Sequence, residues 1–125
     1  NAIRLRLIRE LHENGYGLLL GSDAPQVFNV PGFSIHHEIA GMKNAGLSNL
    51  DIIRIGTINP AIYMGMEGQF GELVRGASAD ILLVRNNPLE SIEALKDVQG
   101  VMVRGRWLDK SEIQQRLKEI SDKYK

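Results

Sequence analysis

Residues 17–25, GLLLGSDAP, decide how the rest of the chain is interpreted. The uninterrupted apolar run 18–20 predicts a strand buried on both faces, as in a parallel sheet that helices cover. Asp23 would then follow the carboxyl end of that strand, where ligands and catalytic groups collect in α/β barrels and open α/β sheets. A second interpretation, common for aspartate after glycine and serine, is that Asp23 caps a turn or a helix.

Helix signals stand on both sides of this stretch. Residues 2–13 carry apolar side chains at helical spacing, and the pattern ends at Gly15, as expected of a helix C-terminus. Three further helices are predicted from their N-cap residues, which are Ser34, Ser48 and Asn59. A helix followed by a glycine turn and a buried strand is one step of an α/β fold.

The hydrophobic period changes from residue 68 onward. Short apolar runs separated by glycine and asparagine predict strands at 72–74, 80–84, 98–103 and 106–108. The last two strands flank Arg104-Gly105 and form a predicted hairpin. A single helical turn is expected around Ile92, and an amphipathic helix over 111–124 with Asp109 as its cap.

Composition excludes several classes of protein. The 125 residues include 15 basic and 15 acidic side chains, so no net field favours nucleic acid or an anionic membrane surface. There is no cysteine, which excludes disulfides, thiolate metal sites and cysteine nucleophiles. No apolar run approaches the length of a membrane span. The expected protein is soluble, and the cytoplasm is its favoured location.

The histidines are candidates for a site, but they do not form a metal-binding pattern. His36 and His37 are adjacent on a predicted helix and point in different directions, so they cannot grip one ion as a pair four residues apart could. We expect them to line a substrate pocket or to serve the structure. His12 lies in the last turn of the first helix, where a cation complements the helix dipole at the surface.

Several motifs carry a family resemblance in their order and spacing. The motifs are GSDAP at 21–25, PGFSIH at 31–36, AGL at 45–47, TINPA at 57–61, GEL at 71–73, ADILL at 79–83, NPL at 87–89 and VRGR at 103–106. Together they resemble the C-terminal end of the metal-dependent amidohydrolase superfamily. The most similar branch holds the imidazolonepropionase-like and prolidase-like (Xaa-Pro dipeptidase) enzymes.

The resemblance implies an α/β fold with two parts. Residues 1–67 would form the C-terminal end of a metal-dependent (β/α)8 barrel, and residues 68–108 would supply the C-terminal strands of a small β-sandwich domain. Residues 109–125 would form a terminal amphipathic helix. A complete barrel of this kind takes about 250 residues, so we expect this chain to be the C-terminal portion of a longer enzyme.

The resemblance also implies a chemistry centred on Asp23. In this family the matching aspartate binds a divalent metal, zinc being the expected ion, and handles the proton of the hydrolytic water. The other family ligands have no counterpart here, so the metal site is incomplete and the chain alone should be inactive. The implied function is hydrolysis of carbon–nitrogen bonds, amide or peptide-like; the alternative is a non-catalytic fragment or interaction domain that retains the fold.

The expected partners follow from this interpretation. They are a small-molecule substrate and either the remainder of the enzyme chain or a second copy, with no nucleic acid and no membrane. Substrate identity stays open among dipeptides, cyclic amides, carbamates and organophosphates.

Overall fold

The computed structural model describes residues 2–124, so the outermost residues of the first and last predicted segments, 1 and 125, lie outside it. The chain divides into two compact units, the first ending at Ala77 and the second beginning at Ser78. The segment boundaries expected at 67/68 and 108/109 stay a prediction. None of the helices within residues 2–124 combines the length and apolar character that a bilayer crossing requires.

The first unit is built from helices. They are α1 (Ala2–Glu13), α2 (Ile35–Asn44), α3 (Asn49–Gly56) and α4 (Ile58–Met64). The predicted bounds of α1 are confirmed, and Gly15 beyond its end has a φ of 74°. The predicted cap of α3 is also confirmed, because the Ser48 hydroxyl accepts a hydrogen bond from the Asp51 backbone N–H at 3.1 Å.

One predicted cap is confirmed only in its position, and another is wrong. Ser34 is the N-cap residue of α2, but its hydroxyl makes no capping hydrogen bond; it accepts from the Val30 backbone N–H at 2.7 Å and so closes the loop before the helix. Asn59 is not the N-cap of α4, which begins at Ile58 after Thr57. The Asn59 side chain donates instead to the Leu18 carbonyl, 41 residues away in sequence. Both side chains therefore form hydrogen bonds with backbone groups other than those predicted.

Buried apolar side chains from α2, α3 and α4 and the turn between α2 and α3 form the core of this unit. They are Ile39, Met42, Ala45, Leu47, Ile52, Ile55 and Ala61. Arg9 of α1 reaches this core edge, where its Nε donates to the Ala45 carbonyl at 2.6 Å. Because Ala45 ends α2, the guanidinium lies at the negative end of that helix dipole.

The buried strand predicted at 18–20 does not form. Residues 16–24 have no regular secondary structure, and within the described residues no strand pairs with them. Strand structure needs a neighbouring strand to satisfy its backbone groups. Here helices serve that purpose: the Leu20 N–H donates to the Ile55 carbonyl at 3.3 Å, and the Leu18 carbonyl accepts from Asn59 at 2.9 Å.

The second unit contains an antiparallel sheet with strand order β1 (Ile81–Val84), β2 (Val98–Val103), β3 (Arg106–Asp109). The predicted hairpin between β2 and β3 is confirmed, with Met102 opposite Trp107. A 3₁₀ helix spans Ile92–Lys96, and α5 spans Lys110–Lys123. The Asp109 carboxylate caps α5 by accepting from the Glu112 N–H at 2.9 Å.

The strand predicted at 72–74 is absent from the structure, which has irregular chain there. Gly71 just before it has a φ of 86°, and a Cβ at this position would lie 2.3 Å from the Thr57 carbonyl oxygen. The backbone therefore packs directly against the start of α4 and turns away from an extended course. An apolar pair next to glycine occurs both in strands and in irregular chain, so this pattern does not distinguish between the two.

One ion pair in the first unit predicts an acid-dependent stability. The Asp51 carboxylate accepts a hydrogen bond from the Ser48 hydroxyl, which lowers its pKa below the ordinary value, and His12 Nε2 lies 3.4 Å away. A carboxyl whose pKa is lower in the folded state stabilises the fold above its unfolded pKa, about 3.9, and loses this contribution as the pH falls through the folded value.

We therefore expect Ser48→Ala to lower the urea midpoint at about pH 7, and the difference from the wild type to shrink at about pH 3. Ser121→Ala, at an exposed position of α5, is the matched control and should show no such pH dependence. A difference that is equal at both pH values would contradict the role given to Asp51.

Candidate functional site

Asp23 is exposed and directly follows the irregular segment 16–22. Its φ of 53° lies in the left-handed region, which non-glycine residues rarely adopt, although aspartate tolerates it better than most. One carboxylate oxygen, Oδ2, accepts a hydrogen bond from Nε2 of Gln26. Oδ1 carries no such contact among the described residues.

Helices α3 and α4 hold the backbone that leads to Asp23. Besides the hydrogen bonds to Leu18 and Leu20, Gly56 lies so close that a Cβ there would be 3.0 Å from the Leu20 side chain. A hydrogen bond such as that from Asn59 to Leu18 contributes about 1 kcal/mol. Sequence reasoning missed this role of Asn59, because the Asn-Pro pair also has the pattern of a helix start.

A tight turn follows Asp23 and contacts it. The backbones of Gln26 and Asn29 exchange hydrogen bonds of 2.9 and 3.3 Å, which leaves Val27 and Phe28 at the tip. Phe28 has a φ of 68°, and a bulky residue in this region costs about 1–3 kcal/mol. The tip side chains are 83% and 92% exposed, respectively. Nothing in the sequence pattern of this turn fixes the orientation of these side chains.

The predicted pocket residues His36 and His37 lie in the first turn of α2. His36 is half-buried and His37 is exposed. Their assignment to a substrate pocket stays a prediction. Their adjacent positions on a helix still direct them to different sides.

His12 is less exposed than expected from the surface role predicted for it. It is half-buried, pairs with Asp51, and lines a groove of about 490 Å³ together with Tyr16, Leu19 and Asn59. Neither Asp23 nor the histidines of α2 line this groove. The groove and the carboxylate are therefore separate features of the first unit.

The donor set for a metal ion is incomplete in this part of the protein. Within residues 2–124 no three histidine or carboxylate side chains converge closely enough to hold an ion. A catalytic zinc site takes about three protein ligands, and Asp23 would supply one of them. The described residues do not, by themselves, supply the ligands that a bound divalent ion needs.

The other carboxylates with lowered pKa have structural partners in the second unit. The Lys110 ammonium donates to Asp97 and lowers the pKa of that carboxyl, with a further contribution from Arg85. The Ser78 hydroxyl lowers the pKa of Asp80. These interactions join strands, turns and α5 within the unit. They do not mark a second candidate site.

Comparison with known families identifies the family to which this chain belongs. The model of the amidohydrolase family matches residues 4–108, and the chain belongs to this family. The resemblance of its motifs to prolidase-like amidohydrolases is thereby confirmed. No curated protein matches the sequence.

Solved structures extend the comparison. A Xaa-Pro dipeptidase with methionine bound in its active site is 25% identical, with a TM-score of 0.72 over 84% of this chain. An uncharacterised protein is 28% identical, with a TM-score of 0.64 over 83% of this chain. Molinate hydrolase, 22% identical with a TM-score of 0.66 over 82% of this chain, shares the fold. The matched part makes up 25%, 26% and 25% of the length of these three proteins, respectively.

Proposed function

We propose that this chain is the C-terminal portion of a metal-dependent hydrolase that cleaves carbon–nitrogen bonds of a small molecule, with Asp23 as metal ligand and catalytic base. One observation carries the proposal. Asp23 is exposed, one of its carboxylate oxygens accepts a hydrogen bond from Gln26, and it lies in the stretch GSDAP at 21–25 that resembles the family's motif. The match to the amidohydrolase family over residues 4–108 supports this role.

The chemistry divides between a metal and this carboxylate. Asp23 would be one ligand of a divalent ion, which we propose to be zinc and whose other ligands would come from outside this chain; such an ion would supply acidification of water and polarisation of the scissile carbonyl. Asp23 accepts the water's proton at Oδ1 and passes it to the leaving nitrogen, which a general base within hydrogen-bond reach can do. The Gln26 donor occupies Oδ2 and so orients the carboxylate for this task.

The missing ligands and strands would come from outside residues 1–125. Apolar side chains on α1 support this, since Ile3 is 86% exposed and Leu7 is 56% exposed, and the helix buries none of its described residues. Segment 16–22 pairs with no strand among the described residues, so its backbone groups other than those bonded to the helices are available to a neighbouring strand. We propose that the remainder of the enzyme chain covers these surfaces in a (β/α)8 barrel and, with the second unit, in a β-sandwich. A second copy is the alternative partner.

One relative supports a substrate class for this protein. The Xaa-Pro dipeptidase structure, with methionine in its active site, supports a peptide-like substrate for this protein. His36 and His37 would line the pocket from α2. The proposed location is the cytoplasm.

A non-catalytic domain that retains the family fold is the second candidate. The observation that favours it is the lack, within residues 2–124, of a side-chain cluster able to hold a metal. The two candidates differ in what the complete gene product contains.

Intact mass and metal analysis of the native protein test the proposal. We expect a product much longer than 125 residues that carries a divalent ion and hydrolyses dipeptides or other amides, while the isolated 125-residue chain has neither activity nor stoichiometric metal. Stoichiometric zinc together with hydrolysis in the isolated chain would overturn the fragment assignment. A native product that ends at these 125 residues, without activity, would favour the non-catalytic domain.

A further inference from the structure

The chain contains a single asparagine–glycine pair, Asn14-Gly15, which directly follows α1. In an unstructured chain this pair is chemically labile, which is one reason why asparagine counts as a thermolabile residue. The Gly15 backbone nitrogen loses its proton and attacks Cγ of the Asn14 side chain, whose amide nitrogen takes up a proton and leaves as ammonia, and a succinimide ring forms. Water then opens the ring to aspartate or isoaspartate. Glycine makes this attack easy because no side chain hinders its nitrogen.

The structure engages the attacking nitrogen in the end of the helix. The Gly15 N–H donates to the His12 carbonyl at 3.0 Å, and the Tyr16 N–H donates to the Leu11 carbonyl at 3.0 Å. With Gly15 at a φ of 74°, these two hydrogen bonds form a Schellman motif, which ends many helices. A nitrogen whose proton is held by a carbonyl is a poor nucleophile, so Gly15 cannot attack while this motif is closed.

The leaving nitrogen is held by the same turn. Asn14 Nδ2 donates to the Glu10 carbonyl at 2.8 Å, and the Asn14 backbone N–H donates to the same oxygen at 3.1 Å. The side chain therefore points back along α1, and its amide has to leave this carbonyl before the ring can close. Both reacting groups are thus released only when the last turn of α1 opens.

We propose that Asn14 is a deamidation site controlled by the end of α1: the closed turn protects the side-chain amide, and local opening of the turn exposes it to cyclisation. Helix ends open at a lower free energy than the whole fold, so the reaction proceeds in the folded protein without global unfolding. The rate of deamidation then reports how often this end of α1 opens.

Deamidation would weaken the turn that protects the site. An aspartate here has no N–H to donate to the Glu10 carbonyl, and it adds a negative charge at the negative end of the α1 dipole. Isoaspartate adds a carbon to the backbone, which shifts the hydrogen bonds of the Schellman motif out of register. Because His12 of the same turn pairs with Asp51 of α3, the contact between these two helices is weakened with it.

Peptide mass mapping of the complete protein, incubated in mildly alkaline buffer, measures the deamidation rate of Asn14. The reference is the same protein unfolded in concentrated urea. We expect the folded protein to deamidate at least about tenfold more slowly, and urea well below the unfolding midpoint to raise the rate. Equal rates in the folded and the unfolded protein would overturn the inference. A rate that rises only with global unfolding would also overturn it, because the end of α1 would then not be the gate.

Asn14→Asp reproduces the charge of the product and gives a second readout. We expect it to lower the urea midpoint of the complete protein. Asn86→Asp is the matched control, since Asn86 is exposed in the second unit and its substitution adds the same charge away from α1; it should leave the midpoint unchanged. Equal midpoints for Asn14→Asp and the wild type would overturn the proposed loosening of the turn. Neither measurement involves a metal or hydrolysis, so both outcomes are independent of the proposed function.

Discussion

Asp23→Asn in the complete protein is expected to lower kcat for amide hydrolysis by roughly 10²- to 10⁴-fold, the range over which a positioned general base contributes. The amide cannot accept the proton, and it is a weaker metal ligand than a carboxylate. Stability should change little. Asp23 is exposed, and asparagine adopts a φ near 53° as readily as aspartate does.

The measurement is kcat and metal stoichiometry for the variant and the wild type, with Glu67→Gln as control. Glu67 is an exposed carboxylate just beyond α4, so its loss should leave both quantities unchanged. The bound metal should also fall in Asp23→Asn if this residue is a ligand. Retention of wild-type kcat by Asp23→Asn would rule out its role as catalytic base.

Gly100→Ala is expected to destabilise the second unit by about 1–3 kcal/mol, the usual cost of forcing an extra carbon into a packed position. Gly100 lies in β2, and a Cβ there would be only 2.1 Å from the Trp107 ring of β3. Trp107 covers the bare backbone of this glycine, an arrangement in which the aromatic ring replaces the missing side chain. Alanine would push the ring off the strand.

Thermal unfolding followed by circular dichroism measures this effect. Gly41→Ala serves as the control of opposite sign, since Gly41 lies inside α2 and a Cβ at this position would have no atom within 4 Å of it. Its substitution should stabilise the helix by roughly 0.5–1 kcal/mol. In a Trp107→Leu background the penalty of Gly100→Ala should shrink, because the shorter side chain leaves room. Equal melting temperatures for Gly100→Ala and the wild type would show that the ring does not constrain this position.

Local patterns predicted much of the secondary structure. The period of apolar residues located α1 and α5, and the caps Ser48 and Asp109 were confirmed because both bond to a backbone N–H only three residues away. The β2–β3 hairpin was predicted for a similar reason, since Arg104-Gly105 suits a tight turn and the structure gives both residues a positive φ. Short-range interactions of this kind are encoded within a few residues.

The largest errors involve groups whose partners are distant in the chain. The run 18–20 has the composition of a buried strand, yet strand structure depends on a neighbour that the described residues do not supply. Asn59 could cap its own helix, but its amide bonds to Leu18 instead. A sequence pattern does not indicate which of two acceptors a side chain will find when both are sterically accessible.

Some features of the candidate site were likewise predicted from the sequence, and others are seen only in the structure. Motif order alone identified the amidohydrolase family and selected Asp23, because the family signal resides in residue types at fixed spacing. The roles of Asp23, His36 and His37 stay predictions. Only the folded chain brings the Gln26 amide to the carboxylate and turns Phe28 outward, since both depend on backbone angles in the left-handed region and on a turn closed by hydrogen bonds. Residue identity sets which chemistry is available, and the backbone path decides which atoms meet.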